Sequence, residues 1–343
     1  MKKRINLCWL LLIGICILIN LKPAQAATDQ NADFEVQPVF DTSQTNQNLN
    51  YYNLKYAPGT THQIKLRIQN YTEHPVTVYS KFKNAITGVG GENAFTASTK
   101  GLDRSLKVPL TSVVRLDGPK KITLKAEEIR YLTATIQMPK ENFRGMIYGS
   151  WHFIEYLQDK PKDRSEATSN YAYSLGVILQ GKPFRVYPEL KYQGTTPELY
   201  QGHPALTIQL RNTQPMVLNQ VALTATVTKQ GVFPTKRVYQ VTNRVINPNS
   251  KLKIPVSWEY DQLKPGKYQV QVKVVGQNYW NHLPMVWRIN KQFTVKNTAI
   301  KAINQQAIHK PINQWAIASL ASGIMLVLAT GALIVLIRQR PGI

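Results

Sequence analysis

Cysteine is nearly absent from this chain of 343 residues, and its two copies, Cys8 and Cys16, both lie near the N-terminus. Residues 1–26 have the parts of a secretion signal: a basic start, an apolar stretch and the small-residue cleavage site Ala24-Gln25-Ala26. We therefore expect a mature chain that begins at Ala27 and contains no cysteine. This absence excludes disulfides, thiolate catalysis and cysteine metal sites from the exported part.

Charge is missing from one long stretch near the C-terminus. Trp315 to Ile337 is 23 residues without a charge, a proline or an amide side chain. As a helix it would be about 34 Å long, enough to cross a hydrocarbon core of about 30 Å. We predict a transmembrane helix at 313–337 and a basic cytoplasmic tail at 338–343, with the preceding domains outside the cell membrane. So short a tail leaves no room for a signalling domain.

Acidic residues are few: 19 against 42 Lys and Arg, for a formal net charge of +23. Six of these positive charges belong to the signal and the tail, which leaves +17 for the exterior. Such a surface attracts polyanions. Outside a cell these are wall polymers and membrane headgroups, so we expect no nucleic-acid partner and a weak tendency to bind anionic wall material.

The exterior shows strand periodicity almost throughout, with little sign of helix. Alternating sets such as Ile64, Leu66 and Ile68 put apolar side chains on one face of each strand. We predict an all-β ectodomain of two tandem immunoglobulin-like antiparallel β-sandwiches, at 27–160 and 161–312. The polar, proline-bearing stretch 158–170 separates them, and the strand at 171–180 could belong to either.

Aromatic residues provide the candidate contacts. Tyr268 follows a Pro-Gly turn and begins a strand, a position where a tyrosine hydroxyl bonds the upstream backbone and stabilises the corner of a sandwich. Exposed rings beside basic residues suit glycan, since sugar faces stack on aromatic rings. The candidates for ligand contact, each equally compatible with core packing, are Tyr51, Tyr52, Tyr148, Trp151 and Trp280.

Catalytic patterns are scarce. The six histidines are widely separated, and none lies at metal-ligand spacing with another. Two segments beginning at Ser80 and Ser250 fit the SxxK pattern, but both lie in or beside predicted strands and lack partner motifs. We expect no enzyme activity, catalytic residue, metal or cofactor. A cell-wall hydrolase or transpeptidase with an unrecognised site is the alternative, which would require a cleft with convergent ionisable groups.

Several segments together resemble one family. They are Asn46 to Leu54 with Pro58-Gly59, Met138-Pro139, Phe143 to Gly149, Phe153-Ile154-Glu155, Tyr171 to Val177, Leu263 to Tyr268, and Trp287 with Phe293. These segments are similar to the WxL-interacting proteins of Gram-positive bacteria, and the resemblance covers essentially the whole chain. The glycine-rich loop Asn84 to Phe95 matches only part of the family pattern.

The resemblance implies an exported, membrane-anchored, non-enzymatic scaffold. Its first module would bind peptidoglycan, its second would bind host ligands, and its partners would be surface proteins that carry a WxL domain. The chain itself resembles the partner of such proteins, because its only Trp-x-Leu string, Trp9-Leu10-Leu11, lies in the signal.

Overall fold

A computed structural model describes residues 32–155, 171–181, 185–311 and 314–338. The predicted signal at 1–26 and the whole of the predicted linker at 158–170 lie outside these residues. The described chain is mainly β-sheet, as its alternating sequence predicts, and its strands form four sheets.

The first module contains ten strands. In chain order they are β1 (Phe34–Val39), β2 (Tyr52–Lys55), β3 (Thr61–Asn70), β4 (Val76–Thr87), β5 (Asn93–Thr96), β6 (Val114–Leu116), β7 (Lys121–Leu124), β8 (Ile129–Gln137), β9 (Met146–Glu155) and β10 (Ala172–Gln180), with a short 3-10 helix at Leu110–Ser112. One sheet has the order β1-β3-β8-β6, and the facing sheet has the order β2-β10-β9-β4-β5, with β7 also paired to β4. The predicted alternation holds in β3, where Ile64, Leu66 and Ile68 are all buried in the core between these sheets.

Strand β10 joins the first module although it follows the linker. It pairs antiparallel with β9 and parallel with β2, so it lies in the middle of the larger sheet. The first sandwich therefore contains strands from both sides of the predicted boundary at residue 160. This assignment answers the question that the sequence left open for the strand at 171–180.

The second module contains seven strands and a helix. They are β11 (Leu190–Tyr200), β12 (His203–Asn212), β13 (Leu218–Lys229), β14 (Thr235–Ile246), β15 (Ser250–Ser257), β16 (Gly266–Asn278), β17 (Pro284–Val295) and α1 (Asn297–Gln306). The sheets have the orders β11-β12-β15 and β14-β13-β16-β17. Period-two alternation in β13, β15 and β16 supplies the core between them, where each fully buried Leu, Ile or Val contributes about 1.5–3 kcal/mol.

A C-terminal helix, α2 (Gln314–Arg338), covers the charge-free stretch. Within the residues that the structure describes, no helix has both the length and the apolar content needed to cross a membrane. The predicted span is therefore not confirmed by the fold and stays a prediction.

Candidate functional site

A cleft of about 970 Å³ opens on the first module, beside the edge strand β1. Its wall on one side is β1, and on the other it is β10 with the segment that leads into β2 and with residues of β5 and β9. Five partly exposed or exposed rings share the cleft: Tyr51, Tyr71, Phe95, Tyr148 and Tyr173. The cleft is therefore mainly aromatic, although it lies on a strongly basic protein.

Ring packing fixes the orientation of these side chains. Tyr173 stands edge-on against the fully buried Phe34, with the ring centroids 5.1 Å apart. Phe95 stands edge-on against Tyr148 at 5.9 Å. Edge-to-face pairs of this kind are favourable, so the rings are held in place before any ligand arrives.

Polar groups also line the cleft, and several of them are oriented by hydrogen bonds. The Glu35 carboxylate accepts hydrogen bonds from the Tyr71 hydroxyl at 2.7 Å and from Gln37 Nε2 at 3.1 Å. These bonds, Tyr71 first and Gln37 second, lower the pKa of Glu35 below its usual value. Burial raises the pKa of the Tyr148 hydroxyl, which stays a neutral donor and acceptor. An ionised acceptor thus lies among neutral phenols, an arrangement suited to hydroxyl-rich ligands.

The five predicted ligand contacts fall into three groups. Tyr51 and Tyr148 line the cleft. Tyr52 and Trp151 are core residues with 1% and 0% exposure, so the structure corrects their candidacy as ligand contacts. The hydroxyl of Tyr52 donates to the Lys65 carbonyl at 2.5 Å, and Trp151 Nε1 donates to Ser80 Oγ at 2.7 Å. Both polar groups are thus used inside the sandwich.

Trp280 lies between the modules. Its Nε1 donates to the Val186 carbonyl at 2.7 Å, and its ring packs against a small apolar cluster formed by Met146, Ile178, Met216 and Val217. The first two of these residues belong to the first module and the last two to the second. Trp280 therefore contributes to the contact between the modules while it stays partly exposed, and its role as a ligand contact stays a prediction.

Tyr268 has the geometry that the sequence predicts for it. The side chain is fully buried, and its hydroxyl donates to the Lys264 carbonyl at 2.5 Å. The ring also stacks on Phe293, with centroids 5.6 Å apart. It closes the corner between β15 and β16 and does not face a ligand cleft.

The sequence did not identify several other residues that line the cleft, among them Glu35, Tyr71, Asn93, Phe95 and Tyr173. The alternation Tyr171, Tyr173 was the one available signal, because it puts a ring just before β10 and a ring within β10 on the same face of the extended chain. It could not be used, since the module that owns β10 is decided by pairing with β2 and β9, more than 15 residues away from it in the chain.

The glycine-rich loop between β4 and β5 docks on the second module. Gly90 N–H donates to the Lys253 carbonyl at 2.8 Å, and Val245 N–H donates to the Gly91 carbonyl at 2.8 Å. Both glycines have positive φ values, and a Cβ at Gly90 would overlap the Tyr239 hydroxyl. Glycine is therefore required here by the positive φ values and by the close approach of the Tyr239 and Arg244 side chains.

Side chains extend this contact on both sides of the loop. Asp103 of the first module forms an ion pair with Arg211 of the second, and both side chains are almost completely buried. Thr87 and Ser250 share a hydrogen bond of 2.5 Å, and Asn249 Nδ2 donates to Ser105 Oγ at 3.0 Å. Buried polar groups paired across a boundary resist separation of its two sides, because separation would break every pair at once.

Asn93 connects this contact to the cleft. Its Nδ2 donates to the Tyr148 hydroxyl at 3.3 Å, while its Oδ1 accepts from Asn247 Nδ2 of the second module at 2.9 Å. Asn247 also donates to the Ile86 carbonyl at 2.6 Å. One wall of the cleft is therefore held by the second module.

Groups that could do chemistry are dispersed. Among the described residues, no three His, Cys, Asp or Glu side chains are grouped as a metal site would require. The SxxK serines are both buried: Ser80 accepts from Trp151, and Ser250 donates to the Asn247 carbonyl. Glu35 is the one carboxylate among the described residues that line the cleft.

The fold and cleft define a class first: a two-module, mainly β-sheet protein with a cleft lined by aromatic rings. Two family models match in sequence order, described as "WxL Interacting Protein, peptidoglycan binding domain" at residues 34–155 and "WxL Interacting Protein, host binding domain" at residues 162–305. Together they cover most of the chain, which therefore belongs to the WxL-interacting protein family. This confirms the resemblance seen in the sequence.

Solved structures with similar folds are remote. The chain is 12% identical to the class 5 fimbriae chaperone CfaA, covering 74% of this chain and 98% of that one with a TM-score of 0.33. It is 11% identical to a Salmonella enterica SafB chaperone–SafA pilin structure, covering 76% and 98% with a TM-score of 0.31. A PapD-like domain of human CEP192 is 12% identical, covering 47% and 94% with a TM-score of 0.27. No curated protein matches the sequence.

Proposed function

We propose that this protein is a non-enzymatic, membrane-anchored scaffold of the cell surface whose first module binds peptidoglycan in the tyrosine-lined cleft. Membership of the family supports a cell-surface binding role. The observation that carries the glycan assignment is the set of packed, partly exposed rings around an ionised Glu35. Sugar rings stack on aromatic faces, and their hydroxyls bond to carboxylate and phenol oxygens.

The proposed partners of the whole ectodomain are surface proteins with a WxL domain, with host ligands assigned to the second module. The name of each matched domain supports this assignment. The basic exterior adds attraction for anionic wall polymers, and that attraction falls as salt rises. Partner binding through buried apolar surface should survive about 0.5 M salt, whereas charge-driven binding to wall material should not.

Anchoring is the third part of the proposal. It rests on the charge-free stretch Trp315–Ile337 followed by Arg338 and Arg340, and on the signal-like residues 1–26. The protein would be a single-pass protein of the cell membrane, with both modules outside and a short tail in the cytoplasm. Full-length protein that leaves membranes in high salt alone would contradict this.

Catalysis receives no support from the cleft. Glycoside hydrolases generally need two carboxyl groups on opposite sides of the scissile bond, one of them protonated as the acid. Glu35 is a single carboxylate with a lowered pKa, so it is ionised at neutral pH and is a poor general acid.

The test is binding of the full chain, in detergent, to purified peptidoglycan. Tyr173→Ala should weaken binding about fivefold to tenfold, because one stacking ring contributes roughly 1 kcal/mol. Tyr131→Ala is the matched control: this tyrosine of the same module is 53% exposed and contacts Lys65 outside the cleft. Wild-type binding by Tyr173→Ala, with an unchanged melting temperature, would contradict the cleft assignment. Release of soluble muropeptides by the purified chain would instead support an enzyme.

A further inference from the structure

The turn between β13 and β14 exposes two large apolar side chains. Val232 and Phe233 are each 89% exposed, more than any other large apolar residue among those described. The turn is well fixed at its base, where Gln230 N–H donates to the Lys267 carbonyl at 2.8 Å. Burial of these side chains against a partner would be favourable, so the tip has the character of a contact surface.

The tip lies at the end of the second module from which the chain leaves. Lys229 pairs with Tyr268, and Gly266 pairs with Val295, so the last strand ends beside the tip. Helix α1 follows, and Ile308 N–H then donates to the Gly202 carbonyl at 2.8 Å in the turn between β11 and β12. We call this end of the module the exit end.

The apolar helix begins close to the exit end. Five residues lie between Ile308 and the first residue of α2, Gln314, and the six Cα–Cα steps can span at most about 20 Å. Ile308 is itself 53% exposed, and Tyr260 at the same end is 45% exposed. Val232, Phe233, Tyr260 and Ile308 are thus four exposed apolar side chains at the end nearest to the proposed membrane anchor.

Positive charge surrounds this apolar tip. Six lysines lie on the turns and strand ends of the exit end: Lys229, Lys236, Lys264, Lys267, Lys296 and Lys310. The carboxylates there are Glu259 and Asp261, and Asp261 is already paired with Arg237. A ring of lysines around exposed Val and Phe matches the interface of an anionic bilayer, which accepts apolar side chains below a layer of negative headgroups.

We propose that the exit end binds the surface of an anionic phospholipid membrane, with Val232 and Phe233 inserted at headgroup depth and the lysines against lipid phosphates. The orientation of the exit end toward the membrane rests on the proposed anchoring. The exposure of the tip and the positions of the lysines are observed independently of it. Exposed apolar side chains and positive charge coincide at the end from which the chain continues to its apolar helix. A membrane explains this coincidence, whereas a protein partner would not require it. The contact would hold the two modules at a fixed tilt above the membrane.

The test uses Val232→Cys in the predicted mature chain, residues 27–343, carrying a nitroxide label. Because the predicted mature chain has no cysteine, the label enters at one position. Labelled chain is mixed with vesicles of phosphatidylcholine alone or with about one-third phosphatidylglycerol, and flotation and collision with a water-soluble nickel complex are measured. Ile129→Cys is the control, since Ile129 is 49% exposed in the first module.

On anionic vesicles the label at residue 232 should collide with nickel at least threefold less than the label at residue 129. Adding Lys264→Gln and Lys267→Gln should restore part of the collision rate without changing that of the control. Equal collision at 232 and 129 on floated vesicles would overturn the proposal, leaving a protein as the occupant of the tip, but would not affect anchoring. Flotation on anionic vesicles alone, with residue 232 shielded, would overturn anchoring and support the tip contact. Failure to float on either would overturn both.

Discussion

The buried ion pair between Asp103 and Arg211 gives the sharpest test of the contact between modules. Side-chain exposure is 1% for Asp103 and 6% for Arg211, so neither charge is solvated when its partner is lost. Burial alone would raise the pKa of Asp103, but hydrogen bonds from Arg211 and Ser105 outweigh it and hold that pKa below its usual value. Arg211→Met should therefore leave an uncompensated charge and cost about 3–5 kcal/mol at neutral pH.

Urea unfolding of the full chain in detergent, followed by circular dichroism, measures this cost, and calorimetry tells whether the modules still unfold together. Arg237→Met is the control, since its partner Asp261 is 69% exposed; its cost should stay below about 1 kcal/mol. Asp103→Leu combined with Arg211→Met should recover most of the loss, because both charges are then absent. Equal costs for the two arginine variants would refute the reasoning.

Three further outcomes follow from single contacts. Tyr268→Phe should keep the fold and lower the free energy of unfolding by about 1 kcal/mol, which urea titration would detect; no loss would mean that the hydroxyl bond to Lys264 contributes nothing. Burial, followed by the charges of Lys83 and Lys81, lowers the pKa of His152 to about 4. Between pH 6.5 and about 4, His152 is therefore protonated in the unfolded chain but neutral in the folded chain. Stability should therefore fall by up to about 3 kcal/mol as pH drops from 6.5 to 4, and His152→Gln should flatten that slope. Gly90→Ala should separate the modules without unfolding either, seen as faster proteolysis between them, whereas Gly101→Ala, where a Cβ meets open space, tests the backbone strain alone.

Local patterns were sufficient for the strands. Side chains on a strand alternate between faces, so the sets in β3, β13, β15 and β16 predicted which residues form the two cores. Tyr268 was equally local, because its acceptor lies four residues upstream. Neighbouring aromatic residues were harder to assign to the cleft or the core. Tyr51 and Tyr52 are identical residues at adjacent positions, yet alternation places Tyr51 in the cleft and Tyr52 in the core.

The cleft and the module contact could not be predicted, because both join residues that are distant in the chain. Glu35 and Tyr173 meet only after β1 and β10 take their places in facing sheets. The loop at Gly90 departs from the family pattern in sequence and has no motif of its own. Its role follows from Tyr239 and Arg244 of the second module, whose side chains lie too close to Gly90 and Gly91 for a Cβ there.

Fixed modules change what the cleft can do. The hydrogen bond from Asn93 to Tyr148 orients one wall, and Asn247 holds Asn93 in turn. If the second module rotated away, the Tyr148 side of the cleft would lose this support and would have to be ordered again when ligand binds, at a cost in affinity. Contacts that hold the modules together therefore also preorganise the proposed glycan site. The same rigidity fixes the distance between that site and any partner on the second module. A ligand that contacts both modules therefore gains effective concentration for its second contact only if its own two binding groups are separated by that distance.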